Sequence, residues 1–331
     1  MEFDSLNFFL DHLASTGTTF SLEHRIAIQA SLLTLCNDNH FQNVHFWGKI
    51  LGTDNDYYIA YGLGQDYLKD RTYFYSINHG LQWILLPPPT PLTMELALAS
   101  KGRFVGDPTA DSETEIIPND GDEIEEGEQW EYMKEEERLS ATVAAITAEA
   151  AVVPRGALLK SPTGLVYPNK TFEGLSKEDA LQLISFYHLR RPENPWDRHI
   201  VSRPDYNLTL DFLDSIANDL PFGCWTITLD KMETVATVRS LYWPGSYGVA
   251  LIKGNNRRNN VCGWSLNGWW YVGTGKKNWD VPFMILPPPD SSKAAVRDTA
   301  EITGEDSDYY GSYSRPVVNA MSSGRSDEDE F

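Results

Sequence analysis

The sequence predicts an α+β fold, an antiparallel, β-rich body with N-terminal and intervening helices, extended by a disordered acidic loop and a disordered C-terminal tail. Three observations lead to this prediction. Two segments near the N-terminus carry apolar residues at helical spacing, and two separate regions combine β-branched and aromatic residues with intervening turns. Two further stretches are acidic and contain few aromatics, so they cannot bury enough apolar surface to offset their ordering entropy.

Two amphipathic helices are predicted to open the chain. Within residues 3–15, Leu6 and Leu10 belong to an apolar set that recurs every three to four positions. A second helix is predicted to begin at Ser21, whose hydroxyl can cap the first turn, and Glu23 then lies near the positive end of the helix.

The first β-rich region follows these helices. Its strand-like segments are VHFWGKIL, YYIAYGL, RTYFYSI and LQWILL. Turn-rich residues at 52–56 and 78–80 separate the members of each pair. The pattern therefore predicts two successive hairpins.

An acidic segment interrupts the body. We interpret about 107–131 as a mobile insertion, and residues 287–331 as a disordered acidic tail. Between them, apolar residues at three- and four-residue steps predict a helix over about 132–150. The globular body is therefore expected to span residues 1–286.

Two more helices and a second β-rich region are predicted after this. A capping pattern at 176–179 precedes Leu181, Ile184 and His188, and a further short helix is predicted over 210–217. The segments CWTITL, TVATVRSLYW, SYGVALI and NGWWYVGTG alternate with turns, which is typical of a β-meander.

Composition and charge exclude several classes of protein. The net charge of −20 would repel nucleic acid and an anionic membrane surface. No apolar run approaches the ~20 residues of a spanning helix, and the acidic N-terminus does not resemble a secretory signal. Three cysteines without metal-ligand spacing indicate a reducing compartment.

The motifs that suggest chemistry are incomplete. Residues 273–277, GTGKK, resemble a phosphate loop but have Trp270 and Lys277 where the Walker pattern needs Gly and Ser or Thr. The histidines form no HxxxH or HExxH array, and Ser246 does not have both glycines of a nucleophile elbow. The sequence therefore predicts no enzyme, cofactor or metal.

Segments spread along the chain resemble the radial spoke head protein 9 family, with weaker likeness to its paralogues, radial spoke head proteins 4 and 6. They are FWGKILG (46–52), DYYIA (56–60), KGRF (101–104), GDP (106–108), PRGAL (154–158), TFEGLS (171–176), LDFLDS (210–215), VRSL (238–241), WPG (243–245), YVGTG (271–275) and DVPFM (280–284). Because the segments are collinear over about 20–286, a chance motif does not explain them. The acidic tail goes beyond the family pattern.

The resemblance implies a non-enzymatic structural subunit of the axonemal radial spoke head, needed for head assembly and for relaying signals from the central pair to the dynein arms. It implies the protein 4/6 paralogues and a protein 1-like repeat subunit as partners, transient contact with central-pair projections, and a cytoskeletal location in the axoneme of cilia and flagella. Candidates for partner contacts or core anchors are Trp47, Tyr57, Tyr58, Arg155, Trp243, Pro244, Gly245 and Tyr271.

Two other interpretations stay open at this point. Clustered aromatics that include Trp264, Trp269, Trp270, Tyr271 and Trp279 could bind a sugar or a peptide on an exposed β surface, although alternation along strands sends about half of such rings inward. An enzyme with an unrecognised site would show a concave pocket that holds groups with perturbed pKa values.

Overall fold

The computed structural model describes residues 6, 10–11, 20–100, 102–115, 130–192, 205–230, 233–253 and 268–279. They all belong to one unit, Met1–Pro282. The predicted acidic tail, 287–331, and the middle of the predicted acidic insertion, 116–129, lie outside the described residues.

The described elements combine several helices with runs of mostly antiparallel strands, as in an α+β fold. The α-helices are α1 (Leu22–Asp38), α2 (Pro91–Ala99), α3 (Glu135–Ala150) and the single turn α4 (Lys177–Ala180). The strands are β1 (Asn43–Ile50), β2 (Tyr57–Leu63), β3 (Arg71–Ser76), β4 (Ile84–Leu85), β5 (Asp111–Glu115), β6 (Trp130–Lys134), β7 (Val152–Pro154), β8 (Leu158–Lys160), β9 (Val166–Pro168), β10 (Phe186–His188), β11 (Trp225–Leu229), β12 (Val235–Ser240), β13 (Ser246–Leu251) and β14 (Trp270–Gly273).

One eight-stranded sheet, in the order β11-β12-β13-β14-β1-β2-β3-β4, organises the body. Its two halves are the two β-rich regions of the sequence, each an antiparallel meander, so both strand predictions are confirmed. The halves join where β14 lies parallel to β1, with Gly48 opposite Tyr271. Three two-stranded sheets, β5–β6, β7–β10 and β8–β9, surround it.

The junction between the halves requires a glycine. Strand β1 carries a bulge between Phe46 and Gly48, and Gly48 has a φ of +147°. A Cβ atom at Gly48 would lie 2.0 Å from the carbonyl oxygen of Tyr271. Because only glycine allows this close approach of two backbones, residue 48 permits the parallel pairing of β1 with β14.

Both faces of the sheet are covered by apolar side chains, as burial on two sides requires. Under α1, one face buries a cluster that includes Ile28, Leu32, Phe46, Tyr58 and Trp270. Under α3, the other face buries a larger cluster that includes Trp47, Tyr57, Ile146, Trp243 and Tyr271. Alternation along β1 and β14 sends Phe46 and Trp270 to one face and Trp47 and Tyr271 to the other.

The helix predictions have mixed outcomes. Ser21 caps α1 by accepting a hydrogen bond from the His24 backbone N–H at 3.2 Å, and Glu23 lies in the first turn, as predicted. Leu6 and Leu10 are buried and helical, while most of 3–15 lies outside the described residues. The helix predicted over about 132–150 is confirmed as α3, which begins three residues later because β6 occupies 130–134.

One predicted helix is much shorter than expected, and a second is replaced by a 3₁₀ turn. Ser176 caps α4, but the helix ends at Ala180, and Phe186–His188 forms β10 by pairing with β7. Around 210–217 the chain forms only a 3₁₀ turn, Ile216–Asn218, beside a loop held by side-chain hydrogen bonds. In both places tertiary pairing outweighs local helical periodicity.

The ends of the predicted acidic insertion are also ordered differently from the prediction. Residues 111–115 pair with 130–134 as the antiparallel strands β5 and β6. The mobile insertion predicted at about 107–131 therefore has paired strand residues at both of its ends. The hairpin runs into α3, which fixes its position against the body.

Candidate interaction surface

The structure places the aromatic candidates from the sequence inside the body. Trp47, Tyr57, Tyr58, Trp243 and Tyr271 are all buried, at most 2% exposed. They pack on the two faces of the central sheet and are positioned to anchor its core. None of them presents its ring to solvent.

Pro244 and Gly245 form the turn that leads into β13. Pro244 is exposed and Gly245 is half-buried. Gly245 has a φ of +104°, and a Cβ atom there would lie 2.0 Å from the carbonyl oxygen of Val272. Its carbonyl oxygen accepts a 2.8 Å hydrogen bond from the Val272 N–H, so the turn is tied directly to β14.

Arg155 lies just after β7 and clamps a loop to the body. Its Nε donates to Asp211 Oδ1 at 2.6 Å and its Nη2 donates to Asp211 Oδ2 at 2.9 Å, while Nη1 reaches Asp205 Oδ2 at 2.6 Å. The Tyr187 hydroxyl also donates to Asp211 Oδ1, at 2.6 Å. A bidentate arginine–carboxylate pair holds its two residues in a defined geometry. Arg155 therefore ties the loop that contains Asp205 and Asp211 to the body.

Electrostatics of the clamp favour the ionised pair. Burial alone would raise the pKa of Asp211, but the hydrogen bonds from Arg155 and Tyr187 outweigh it and lower that pKa. The hydrogen bond to Asp211 in turn raises the pKa of Arg155. Both groups therefore stay charged at neutral pH.

A buried carboxylate that the sequence interpretation missed lies at the start of α3. Glu135 is 2% exposed and accepts hydrogen bonds from the Tyr57 hydroxyl at 2.7 Å, the Val105 N–H at 2.8 Å and the Gly106 N–H at 2.7 Å. Its position in an acidic run, EEE, is typical of a solvated charge. The only signal in the sequence was its place in the first turn of a predicted helix, where a carboxylate is favoured.

Two adjoining cavities form a concave surface among the described residues. One has a volume of about 300 Å³ and lies between α2, α3 and residues 275–279. The other, about 290 Å³, is lined by residues that include Glu149, His188, Asp219 and Tyr242. Trp243, Lys277 and Trp279 line both, and we call the combined surface the Trp279 cleft.

The cleft combines aromatic rings with an internal ion pair. Lys277 Nζ lies 2.7 Å from Glu149 Oε2 and 4.5 Å from the ring centroid of Trp279. Trp279 is 65% exposed, in contrast to Trp243 beneath it. A large exposed ring beside apolar side chains of α2 is typical of a surface that contacts another protein.

Deeper in the cleft, a histidine is fixed by a carboxylate. Buried His188 has Nε2 2.9 Å from Asp219 Oδ2, and the Trp225 Nε1–H donates to the same oxygen at 2.7 Å. This network joins β10 to the first residue of β11. It holds the edge of the sheet in place and orients Trp225 toward the core.

The described residues also include side chains that bear on metal binding, nucleophilic chemistry and sugar stacking. Among the described residues, no three His, Cys, Asp or Glu side chains lie close enough to hold a metal ion. Burial raises the pKa of the Cys224 thiol to about 11, which disfavours the thiolate that a nucleophile needs. Of the aromatics proposed as a stacking surface, Trp269, Trp270 and Tyr271 are buried, Trp279 is exposed, and Trp264 lies outside the described residues.

None of the helices in the ranges that the structure describes has the length and apolar character needed to cross a lipid bilayer.

Comparison with known proteins gives the class of the chain first. A family model described as radial spokehead-like protein matches residues 3–66. That stretch holds α1, β1 and all of β2, the part of the fold that starts the first meander.

Full-length relatives then specify the family. The chain is 38% identical over 287 residues to radial spoke head protein 9 homolog of Homo sapiens, and 41% identical over 288 residues to the homolog of Danio rerio. A third relative, from Bos taurus, is 37% identical over 287 residues. Each alignment covers 86% of this chain and 100% of the relative. The chain belongs to the radial spoke head protein 9 family.

Proposed function

We propose that the chain is a non-enzymatic structural subunit of the axonemal radial spoke head, needed for head assembly and for relaying central-pair signals to the dynein arms of motile cilia and flagella. The observation that carries the proposal is the match to radial spoke head protein 9 homologs along their entire length, at 37–41% identity.

The architecture supports a mechanical role. A continuous eight-stranded sheet with a packed cluster on each face resists deformation, because close-packed interiors have low compressibility. Gly48 and Gly245 hold the neighbouring backbones of the junction in close contact. A force applied at one edge of the sheet is therefore transmitted to the other edge with little loss through internal rearrangement.

We propose as partners the other head subunits, the protein 4/6 paralogues and a protein 1-like repeat subunit, together with transient contact with central-pair projections. The Trp279 cleft supports this part of the proposal. Trp279 presents a largely exposed ring, and exposed Met94 and Leu98 on α2 continue the apolar surface beside it. A head subunit needs large interfaces of this kind to remain in the assembly.

The test is localisation followed by tomography. A tagged full-length chain is expressed in multiciliated cells that lack their own radial spoke head protein 9. We expect the tag to decorate the axoneme and the spoke heads to reappear in cryo-electron tomograms. Diffuse cytoplasmic signal with headless spokes would contradict the proposal.

A surface variant separates assembly from folding. Trp279→Ala is expected to keep the melting temperature of the purified chain while it lowers incorporation into spoke heads. The matched control is Tyr132→Ala, which also removes a 65%-exposed aromatic ring but on the β5–β6 hairpin. Equal incorporation of the two variants would mean that the Trp279 cleft is not a head interface.

A further inference from the structure

The eight-stranded sheet ends on two unequal edges. At one end, β4 contains only Ile84 and Leu85 and is followed at once by Leu86 and three prolines, which is how natural proteins keep a sheet edge from pairing. At the other end, β11 is five residues long, WTITL, and contains no proline and no charged residue. In the described part of the chain, no strand pairs with the outer side of β11.

The hydrogen-bond pattern shows which groups of β11 face outward. The Leu241 N–H donates to the Cys224 carbonyl and the Asp230 N–H donates to the Val235 carbonyl. The backbone N–H and C=O groups of residues 224 and 230 therefore point toward β12. Along an antiparallel pair, residues that bond to the partner strand alternate with residues that do not. The backbone groups of Thr226 and Thr228 therefore also point toward β12. The backbone N–H and C=O groups of Trp225, Ile227 and Leu229 therefore point away from the sheet.

The side chains along this edge also favour an added strand. Trp225 is buried, whereas Ile227 and Leu229 are only partly buried against the core. Just before β11, Leu220 and Phe222 are 71% and 76% exposed, the highest values among the large apolar side chains of the described residues. A strand laid along β11 would bury these side chains and satisfy the outward backbone groups together.

Strand β11 is held in a fixed position, so its outer edge can pair with an added strand. The Trp225 Nε1–H donates to Asp219, which also pairs with buried His188. The antiparallel ladder to β12 runs from Trp225 to Leu229. Because the strand is already ordered, a binding segment has to supply ordering free energy only for itself.

We propose that β11 is the docking edge for an extended segment of a different, basic protein chain, which adds a ninth strand to the sheet. The inference rests on the proposed function for the identity of the complex, and it names the position at which a head partner attaches. The net charge of −20 favours a basic partner and disfavours pairing with a second copy of this chain.

The test uses two proline variants of the full-length chain in the ciliated cells described above. Ile227→Pro removes an outward N–H that the β11–β12 ladder does not use. Leu85→Pro, the matched control, removes an outward N–H from the opposite edge, since the Leu86 N–H already bonds inward to Tyr73. We expect Ile227→Pro to lower incorporation into spoke heads at least about tenfold and Leu85→Pro to incorporate like the unmodified chain.

Charge variants at an exposed position on the same strand keep the fold intact. Thr228 has an exposed side chain. Thr228→Lys is expected to weaken incorporation and Thr228→Glu to preserve it, because the partner is basic. Wild-type incorporation of both Ile227→Pro and Thr228→Lys would overturn the docking edge while the proposed function stands.

Hydrogen exchange tests the pairing at the β11 edge independently of where the protein is located in the cell. The tagged chain is purified with its natural complex, and the amides of Trp225, Ile227 and Leu229 are compared with those of the isolated chain. We expect exchange to slow at least about a hundredfold in the complex. Unchanged exchange would overturn the docking edge even if the chain is in the axoneme, and slow exchange in a dimer of the isolated chain would show that a second copy is the occupant.

Discussion

Trp243 and Glu149 are joined by a 2.8 Å hydrogen bond from the indole Nε1–H to Oε2, which ties the turn before β13 to the last residues of α3. Lys277 pairs with the same carboxylate. The contact therefore lies where the central sheet, α3 and the Trp279 cleft meet, with a buried ring on the inside and charged groups at the surface.

Trp243→Ala is expected to lower the free energy of unfolding by ~3–5 kcal/mol, because it removes a buried ring, leaves a cavity and breaks the bond to Glu149. Urea unfolding of the purified chain measures this loss, and spoke heads should be depleted in cells. Trp279→Ala is the control from the same cleft, expected to change stability by less than ~1 kcal/mol. Equal losses for the two variants would contradict the assignment of Trp243 to the core.

Glu135→Ala is expected to lower the free energy of unfolding by at least ~3 kcal/mol, because the buried Tyr57 hydroxyl, the buried Gly106 N–H and the partly buried Val105 N–H lose their acceptor. Glu137→Ala, two residues along the same helix turn at an exposed position, is the matched control. The variants are compared by chemical denaturation. A small, equal effect would show that the buried carboxylate is not needed.

Asp211→Asn is expected to destabilise the protein at pH 7 and progressively less in acid. The pKa of Asp211 is lowered in the folded state, below the unfolded value of about 3.9. The carboxylate therefore stabilises the fold above that pH, and the contribution is lost as pH falls through the folded pKa. Denaturation of both proteins from pH 7 to 3 checks this, and a difference that stays constant with pH would contradict it.

Asp205→Asn provides the comparison for that experiment. Asp205 also contacts Arg155, but its side chain is largely exposed, so solvent screens the pair. We expect a smaller loss of stability at pH 7 and a weaker dependence on pH than for Asp211→Asn.

Deletion of residues 287–331 is expected to leave spoke heads assembled. The segment is acidic and offers little apolar surface to an interface, and the curated relatives align along their full length to 86% of this chain. Tomography of axonemes that carry the shortened chain provides the measurement. Headless spokes would show that the tail holds the assembly together.

The sequence by itself determined the local elements and the family. Ser21 and the helical spacing that follows it predicted α1, alternation and turns predicted both meanders, and collinear segments such as FWGKILG indicated the radial spoke head family. These features depend on neighbouring residues, so a pattern of a few positions is sufficient to predict them.

Only the tertiary structure decided how distant segments meet. Gly48 and Tyr271 are more than 200 residues apart, and their parallel pairing joins the two meanders into one sheet. The helical pattern around His188 gives way to β10 because β7 offers a ladder, and Glu135 is buried because Tyr57 and the Val105 and Gly106 amides converge on it. The open edge at Ile227 likewise depends on strand order. Such outcomes are set by long-range contacts that outweigh local preference, so the physical reason lies in packing and hydrogen bonding between segments far apart in the chain.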